Sequence, residues 1–433
     1  MTIIIFKQRL IMLLEFNVTN YRSIRDAQKI SMVAAKDTSH QEANCMPSGI
    51  SPALNLVRAT VLYGPNASGK SNLISALGFM RSMVETSAVG IREGQTLNVS
   101  PFRFDTDTNN QSSEFEVTFI ENNVRYQYGF ALNSIRVVRE WLLVYIERKA
   151  QRWLERNYDN KKNKYQWYFG PHLIGGKKQH HLWSESTRGN ALFLSTAVNL
   201  NSEQLRPIFN WFVNKLIIVG SNSQPHPFYT MECIKNGLDK PQIIHFLQAA
   251  DLGITDVQIK MQKAQHVQFR LEPGQAAIEN KQETDIPSAT LFHQGKGKNN
   301  FVGFELDEES HGTQRLFAYA GPILDILRNG KILVVDELDS GLHSKMVRFL
   351  VSLIQNSHLN KNNAQLIFAT HSTSLLDTDL FRRDQIWFME KDNEQASHLY
   401  PLTDFSPRKG EALEKGYLIG RYGALPFFGD FNL

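Results

Sequence analysis

The residues of this chain best equipped for chemistry lie in "VLYGPNASGKSNLI", residues 61–74. Gly64, Gly69, Lys70 and Ser71 match G-x-x-x-x-G-K-[ST], a spacing in which glycines let backbone N–H groups turn inward onto phosphate oxygens. A helix after such a turn presents its positive N-terminal end to the same anion. The pattern predicts that Lys70 reaches the β- and γ-phosphates, that Ser71 ligates Mg2+, and that Asn66 and Gly69 complete the phosphate loop. The apolar run before the turn and the amphipathic run after it supply the strand and helix that the motif requires.

A second constellation is "ILVVDELDSGLH", residues 332–343. Asp336, at the tip of an apolar run, is placed to hold Mg2+ through water, and Glu337 to orient or deprotonate an attacking water. Alone, an apolar strand that ends in two acids is commonplace. Paired with the turn at 64–71 it reads as a hydrolysis site. His371 ends a further apolar run, "AQLIFATH", where a lone histidine fits a core position as well as a functional one.

These residues need elements to carry them. The runs near 13–18, 59–64, 331–337 and 364–371 predict strands of a buried, parallel sheet, and residues 71–88 and 341–355 carry helical spacing. The alternation in "SEFEVTFIENNVRYQYGFAL" predicts two antiparallel strands around the turn "ENN". Between Arg148 and Arg188, ten Lys/Arg stand against three acidic residues, interleaved with Trp153, Tyr158, Tyr165, Trp167, Tyr168 and Trp183. This texture predicts an inserted lid reaching about residue 300, where "LFHQGKGKNNF" reads as a loop. A basic, aromatic stretch fits nucleic acid, a protein partner, or an ordinary solvated face. His180 and His181 within it lack the acid or cysteine spacing of a metal site.

Composition sets the frame. The 433 residues, 42% hydrophobic and 21% charged with net charge +4, fit one large or two interlocked globular domains and argue for no particular partner. Cys45 and Cys233 form no C-x-x-C pair, so a disulfide framework and a zinc site are not expected, and a cytoplasmic setting fits best. The start, "MTIIIFKQRLIMLLEF", is split by Lys7 and Arg9 and falls short of the roughly 20 apolar residues a bilayer span needs. No membrane association is expected. Since "MLLEFNVTNYRSI" already reads as a complete opening strand from Met12, residues 1–11 are either an extension or an extra edge strand.

Taken together, the motifs resemble those of ABC-type ATPases. Asp336-Glu337 looks like Walker B, Leu338 to His343 like the D-loop, "FATHS" like the segment of the switch histidine, His371, and "ESHGTQR" at 309–315 like the signature. The order, with Walker A early and the other motifs late around a large insertion, is similar to heads of the SMC and RecF type. "YRSIRD" at 21–26, "PFRFD" at 101–105 and "RYGALP" at 421–426 are similar to the RloA-like group of stand-alone prokaryotic ATP-binding proteins. The signature departs from the transporter form, the insertion lacks heptads, and no glutamine is assignable as a Q-loop, Gln95 and Gln111 being equal candidates.

The resemblance implies an α/β ABC-type head with a mixed parallel sheet, an antiparallel flank and an inserted lid. The expected division is 12–140, 141–300 and 301–433. It also implies that ATP with Mg2+ is bound and hydrolysed, with Glu337 and His371 catalytic and Ser71 and Asp336 on the metal. Ser310 and Gly312 would close over the nucleotide of a second copy, making a homo-oligomer with composite sites; Ser310 also reads as an ordinary N-cap, and the two roles can coexist. Arg22 corresponds to a basic residue near the nucleotide in related heads, or is a plain surface arginine. His343 is expected to make a subunit contact or cap a helix. The RloA-like resemblance further implies anti-phage defence and a separate effector, a toxin or nuclease. The alternative is a repair or nuclease-associated ATPase of the RecF or OLD kind acting on nucleic acid. Only about sixty residues follow His371, so a nuclease domain after the ATPase is not expected.

Overall fold

The computed structural model describes residues 10–146, 148–220, 225–237, 239–270, 278–297, 300–408 and 410–426; the side chains of 264–270 and 278–284 lie outside the description. The expectations for residues 1–9 fall outside it as well. From residue 10 onward, Leu10 N–H donates to Asn123 Oδ1, the strand Ile11–Thr19 begins, and Met12 and Leu13 are fully buried.

The chain divides into two compact units, residues 1–222, 326–339 and 350–433 in the first and residues 223–325 and 340–349 in the second. The first unit holds two large sheets and a small two-stranded one, Cys45–Pro47 with Asn55–Val57. In one large sheet, the strands run in the order Leu216–Val219, Ile332–Val335, Gln365–Ala369, Ala59–Tyr63, Ile386–Lys391, Ser397–Pro401. All neighbours are parallel except the last pair. The central strands are buried along their length, as unbroken Val/Ile/Leu runs in a covered parallel sheet must be. Three of these strands, Leu216–Val219, Ile386–Lys391 and Ser397–Pro401, have no counterpart among the runs read from the sequence.

The other large sheet is antiparallel, in the order Lys164–Phe169, Gln151–Asp159, Val137–Tyr145, Val124–Leu132, Ser113–Glu121, Ile11–Thr19, Gln28–Ser31. The predicted hairpin is present, its turn made by Asn122 and Asn123 at φ 53° and 63°, residues that tolerate this left-handed conformation. The run at 13–18 belongs here and not to the parallel sheet. Its backbone is tied to that sheet by one side chain: Gln365 Nε2 donates to Leu13 O (3.0 Å) and its Oε1 accepts from Leu13 N–H (2.6 Å).

Residues 141–169, expected to open a lid, continue this sheet. In Lys164–Phe169, Tyr165, Trp167 and Phe169 alternate inward against outward Lys164, Gln166 and Tyr168, and the Arg152 guanidinium lies over the Tyr168 ring at 3.8 Å. Trp153 and Trp183 are buried in the main core. Arg156 is fully buried and paired with Glu140 at 3.2 Å. Lys161, Lys162 and Lys164 form an exposed basic turn, and Arg148, Lys149, Arg152, Lys177 and Lys178 are exposed as well. Between the sheets, helix Lys70–Thr86 buries Leu73, Ile74, Ala76, Leu77, Met80, Met83 and Val84. Each large aliphatic side chain so buried contributes about 1.5–3 kcal/mol.

The second unit carries an antiparallel sheet of Ile254–Arg270, Ile278–Gln294 and Phe301–Glu305 with helices Phe228–Lys235 and Lys240–Ala249. Helix His311–Asn329 starts in it and ends in the first unit. Among the described residues no helix is long and apolar enough to cross a membrane.

Candidate functional site

Three parallel strands of the first unit deliver the site. Because Ile332–Val335, Gln365–Ala369 and Ala59–Tyr63 are neighbours running the same way, the segments after Val335, Ala369 and Tyr63 emerge at one edge. Those segments are Asp336-Glu337, Thr370-His371 and the glycine-rich turn. Backbone bonds hold the edge together: Asp336 N–H donates to Val219 O (2.8 Å), Leu338 N–H to Ala369 O (3.1 Å), and Thr370 N–H to Leu62 O (3.1 Å).

The turn 64–69 needs its glycines. A β-carbon on residue 64 would collide with the carbonyl of Met389, and Gly69 sits at φ 114°, where L-residues are strained. Gly69 is the N-cap of helix Lys70–Thr86 and carries no capping side chain, so the first-turn N–H groups remain for another acceptor. Asn66 and Ala67 are exposed on the turn and Ser71 is exposed in the first helical turn. Lys70 is buried, its Nζ donating to Gly64 O (2.7 Å) and Pro65 O (3.0 Å). Burial pushes the Lys70 ammonium down to about 8, against the opposing pull of Asp336, Glu337 and Asp339. The same carboxylates act on His371, whose pKa is lowered by burial and by Lys70. Lys70, His371 and the three acids thus share one electrostatic neighbourhood.

Asp336 is 3% exposed, and its Oδ1 has no hydrogen-bond donor. A buried carboxylate oxygen left without a donor is costly unless a cation satisfies it. Among the described residues no group of three or more His, Cys, Asp or Glu gathers as a protein-only metal cage. One carboxylate and one serine hydroxyl beside a phosphate loop suit Mg2+, which keeps most of its shell for water and phosphate oxygens. Glu337 adopts φ 54°, in the left-handed region, so the chain turns sharply just after Asp336. Asp339, which the sequence did not single out, accepts the N–H of His371 on Oδ2 (3.1 Å). Tyr63 OH donates to Ser372 O (3.2 Å). A cleft of about 670 Å³ adjoins the outer face of the turn, between Asn66, His371 and the C-terminal residues Tyr417 and Leu425.

The remaining candidates sit as follows. Arg22, at φ 52°, lies over the Tyr21 ring and reaches Asn72 Oδ1 at 3.5 Å. Ser310, exposed in the second unit, accepts the Thr313 N–H on its Oγ (3.2 Å) before helix His311–Asn329, which is N-cap geometry. Gly312 lies in the first turn of that helix. His343 Nδ1 accepts from Lys345 N–H (3.1 Å) and caps helix Ser344–Gln355. Gln95 closes a local turn by accepting from Arg92 N–H on its Oε1, and the backbone carbonyl of Gln111 accepts from Asn20 Nδ2. His180 packs on Phe169 and Trp183.

A family model described as "AAA domain, putative AbiEii toxin, Type IV TA system" matches residues 59–377. The chain belongs to this AAA family. The match runs from the strand before the glycine-rich turn to beyond His371, so it contains both halves of the site. This AAA protein has no match among curated proteins. Among solved structures it is similar to the SMC head domain from Thermotoga maritima, at 14% identity and TM-score 0.39, covering 90% of this chain and 98% of that one. A second similar structure is the SmcHead bound to the C-winged helix domain of ScpA, at 11% identity and TM-score 0.41, covering 90% and 97%.

Proposed function

We propose that this AAA protein binds ATP with Mg2+ at the edge formed by residues 64–71, 336–337 and 371 and hydrolyses it. The observation that carries the reading is the buried, donor-free Oδ1 of Asp336 in the same neighbourhood as Lys70 and the glycine-rich turn. Bound Mg2+ would supply neutralisation of charge on the phosphate oxygens. Asp336 and the Ser71 hydroxyl hold it. The N–H groups of the turn, with Asn66 and Gly69, cradle phosphate, and the Lys70 ammonium exchanges the carbonyls of Gly64 and Pro65 for the β- and γ-phosphates. Glu337 orients a water and accepts its proton, and His371, held through its backbone by Asp339, meets the γ-phosphate. Arg22 lies near the nucleotide.

Ser310 and Gly312, at a helix N-terminus, close over the nucleotide of a second copy, making closure dependent on ATP. The protein works in the cytoplasm, and its output is control of a separate effector, a toxin or nuclease, in anti-phage defence of the RloA-like kind. The family description, with its toxin–antitoxin context, supports that setting. The inward packing of Trp153 and Trp183 gives no support to nucleic acid as the main partner.

The test compares wild type with Glu337→Gln. Wild type should release phosphate from ATP only with Mg2+, and the variant should bind Mg-ATP with affinity within about threefold while losing at least about a hundredfold in turnover. Wild type that binds no ATP, or a variant that still turns over, would overturn the reading. Capture from the native host on Glu337→Gln with ATP should retain an effector protein; recovery of nucleic acid alone would replace the effector reading.

A further inference from the structure

Apart from Arg22, the segment "YRSIRD", residues 21–26, is not used by the reading above, yet it lies against the phosphate loop and its helix. Tyr21 OH is hydrogen-bonded to Ser75 Oγ (3.2 Å), and Asn72 Nδ2 donates to Ser23 Oγ (2.7 Å), both partners being on helix Lys70–Thr86. On its other side Ser23 meets strand Ser397–Pro401. Ser397 N–H donates to Ser23 O (2.8 Å), and the two Oγ atoms are hydrogen-bonded at 2.7 Å. Ser397 Oγ also donates to the carbonyl of Ser68, inside the phosphate loop, at 2.7 Å. Ser397 is fully buried, and Ser23 and Ser68 are nearly so.

Ser397 is the hub of this cluster. Its Oγ is placed to donate to Ser23 Oγ or to Ser68 O, a single proton serving one acceptor at a time, and Ser23 Oγ also accepts from Asn72 Nδ2. The result is one connected cluster that joins Asn72 and Ser23 to the loop carbonyl through Ser397. The Ser397 hydroxyl occupies the space next to Gly69: a β-carbon on residue 69 would collide with Ser397 Oγ and stand 3.0 Å from Ser23 Oγ. The glycine of the motif is therefore required by this hydroxyl as well as by its own φ of 114°. Arg25 fixes the other end of the bracket by pairing with Glu394 and Asp392, in the turn that leads into Ser397.

We infer that Ser23 and Ser397 are positioning residues of the phosphate loop. They hold the Ser68 carbonyl away from the anion and keep the neighbouring N–H groups aimed at it, so that the loop is formed before nucleotide arrives. The inference rests on the ATP-binding reading and adds to it two residues far apart in sequence. Neither touches the nucleotide. Their contribution is preorganisation, which appears as affinity because a loose loop must be ordered when the ligand binds.

The test is a double-mutant cycle of Ser23→Ala and Ser397→Ala, read by Mg-ATP titration and by thermal melting without nucleotide. Each single variant should weaken ATP about tenfold, equivalent to ~1.4 kcal/mol. The double variant should be no weaker than the singles by more than about twofold, since both hydroxyls act on the loop through one connected cluster. Ser23→Thr, which keeps the hydroxyl, should restore affinity even if Ser397→Ala melts too early to titrate. Affinities within twofold of wild type in both single variants would overturn the proposal. So would losses that simply add, or that track melting temperature and are not rescued by Ser23→Thr. Wild type that binds no Mg-ATP would instead remove the underlying ATP reading, and this inference with it.

Discussion

Lys70 shows how much of the site is one charge held against its environment. Burial lowers its pKa to about 8, while Asp336, Glu337 and Asp339 pull the other way. Since the folded value lies below the ordinary 10.5, the buried ammonium costs stability below about pH 8. That cost is relieved as pH rises from there toward the unfolded value. Phosphate needs the charged form, so ATP affinity should be level below about pH 7.5 and weaken about tenfold by pH 9, one unit above the shifted value. Titrations at pH 7 and 9 check this, and equal affinities would show that the lysine stays charged. Lys70→Ala should lose at least tenfold at pH 7; retention within about threefold would place the phosphates elsewhere.

At the scale of elements, the antiparallel sheet and the short helix Phe193–Asn199 are joined through one buried carboxylate. Glu140 accepts from Phe193 N–H (2.8 Å), Leu194 N–H (3.0 Å) and Tyr128 OH (2.9 Å), and pairs with Arg156, both partners being fully buried. Removing one member of such a pair strands the other without water. Glu140→Leu should therefore cost roughly 3–5 kcal/mol in denaturant unfolding. Glu140→Leu combined with Arg156→Leu should recover part of that loss. A single variant within about 1 kcal/mol of wild type would show that solvent reaches the pair. The basic character of residues 148–188 is in this respect partly internal: the sequence exposes the charge of Arg156 to the reader, but the fold spends it on a carboxylate sixteen residues earlier.

For the whole molecule the question is closure around nucleotide. Glu337→Gln keeps Asp336 and Lys70 but removes the group proposed to activate water, so ATP should accumulate a closed assembly of higher mass in light scattering. Adding Ser310→Arg, on an exposed N-cap position, should abolish the increase while leaving ATP affinity unchanged. A mass unaffected by ATP in Glu337→Gln would remove nucleotide-driven closure. Equal closure in the double variant would show that residue 310 does not reach the partner's phosphates.

What the sequence determined by itself is whatever a dozen consecutive residues can encode. The turn 64–71 is legible because its glycines fix a backbone shape that needs no distant partner, and Asp336-Glu337 because an apolar strand must end where acids begin. The hairpin at 113–132 is legible for the same reason, since alternation and an Asn-Asn turn are local. Tertiary structure decided the rest. It placed strand Gln365–Ala369 between the other two so that His371 joins the site, and it recruited Leu216–Val219 and Ile386–Lys391 into the parallel sheet. It also kept residues 141–169 in the antiparallel sheet and brought Ser397 under a loop more than three hundred residues earlier. No short-range pattern carries these choices, because a strand's own residues specify which face is buried but not which neighbour completes its hydrogen bonds.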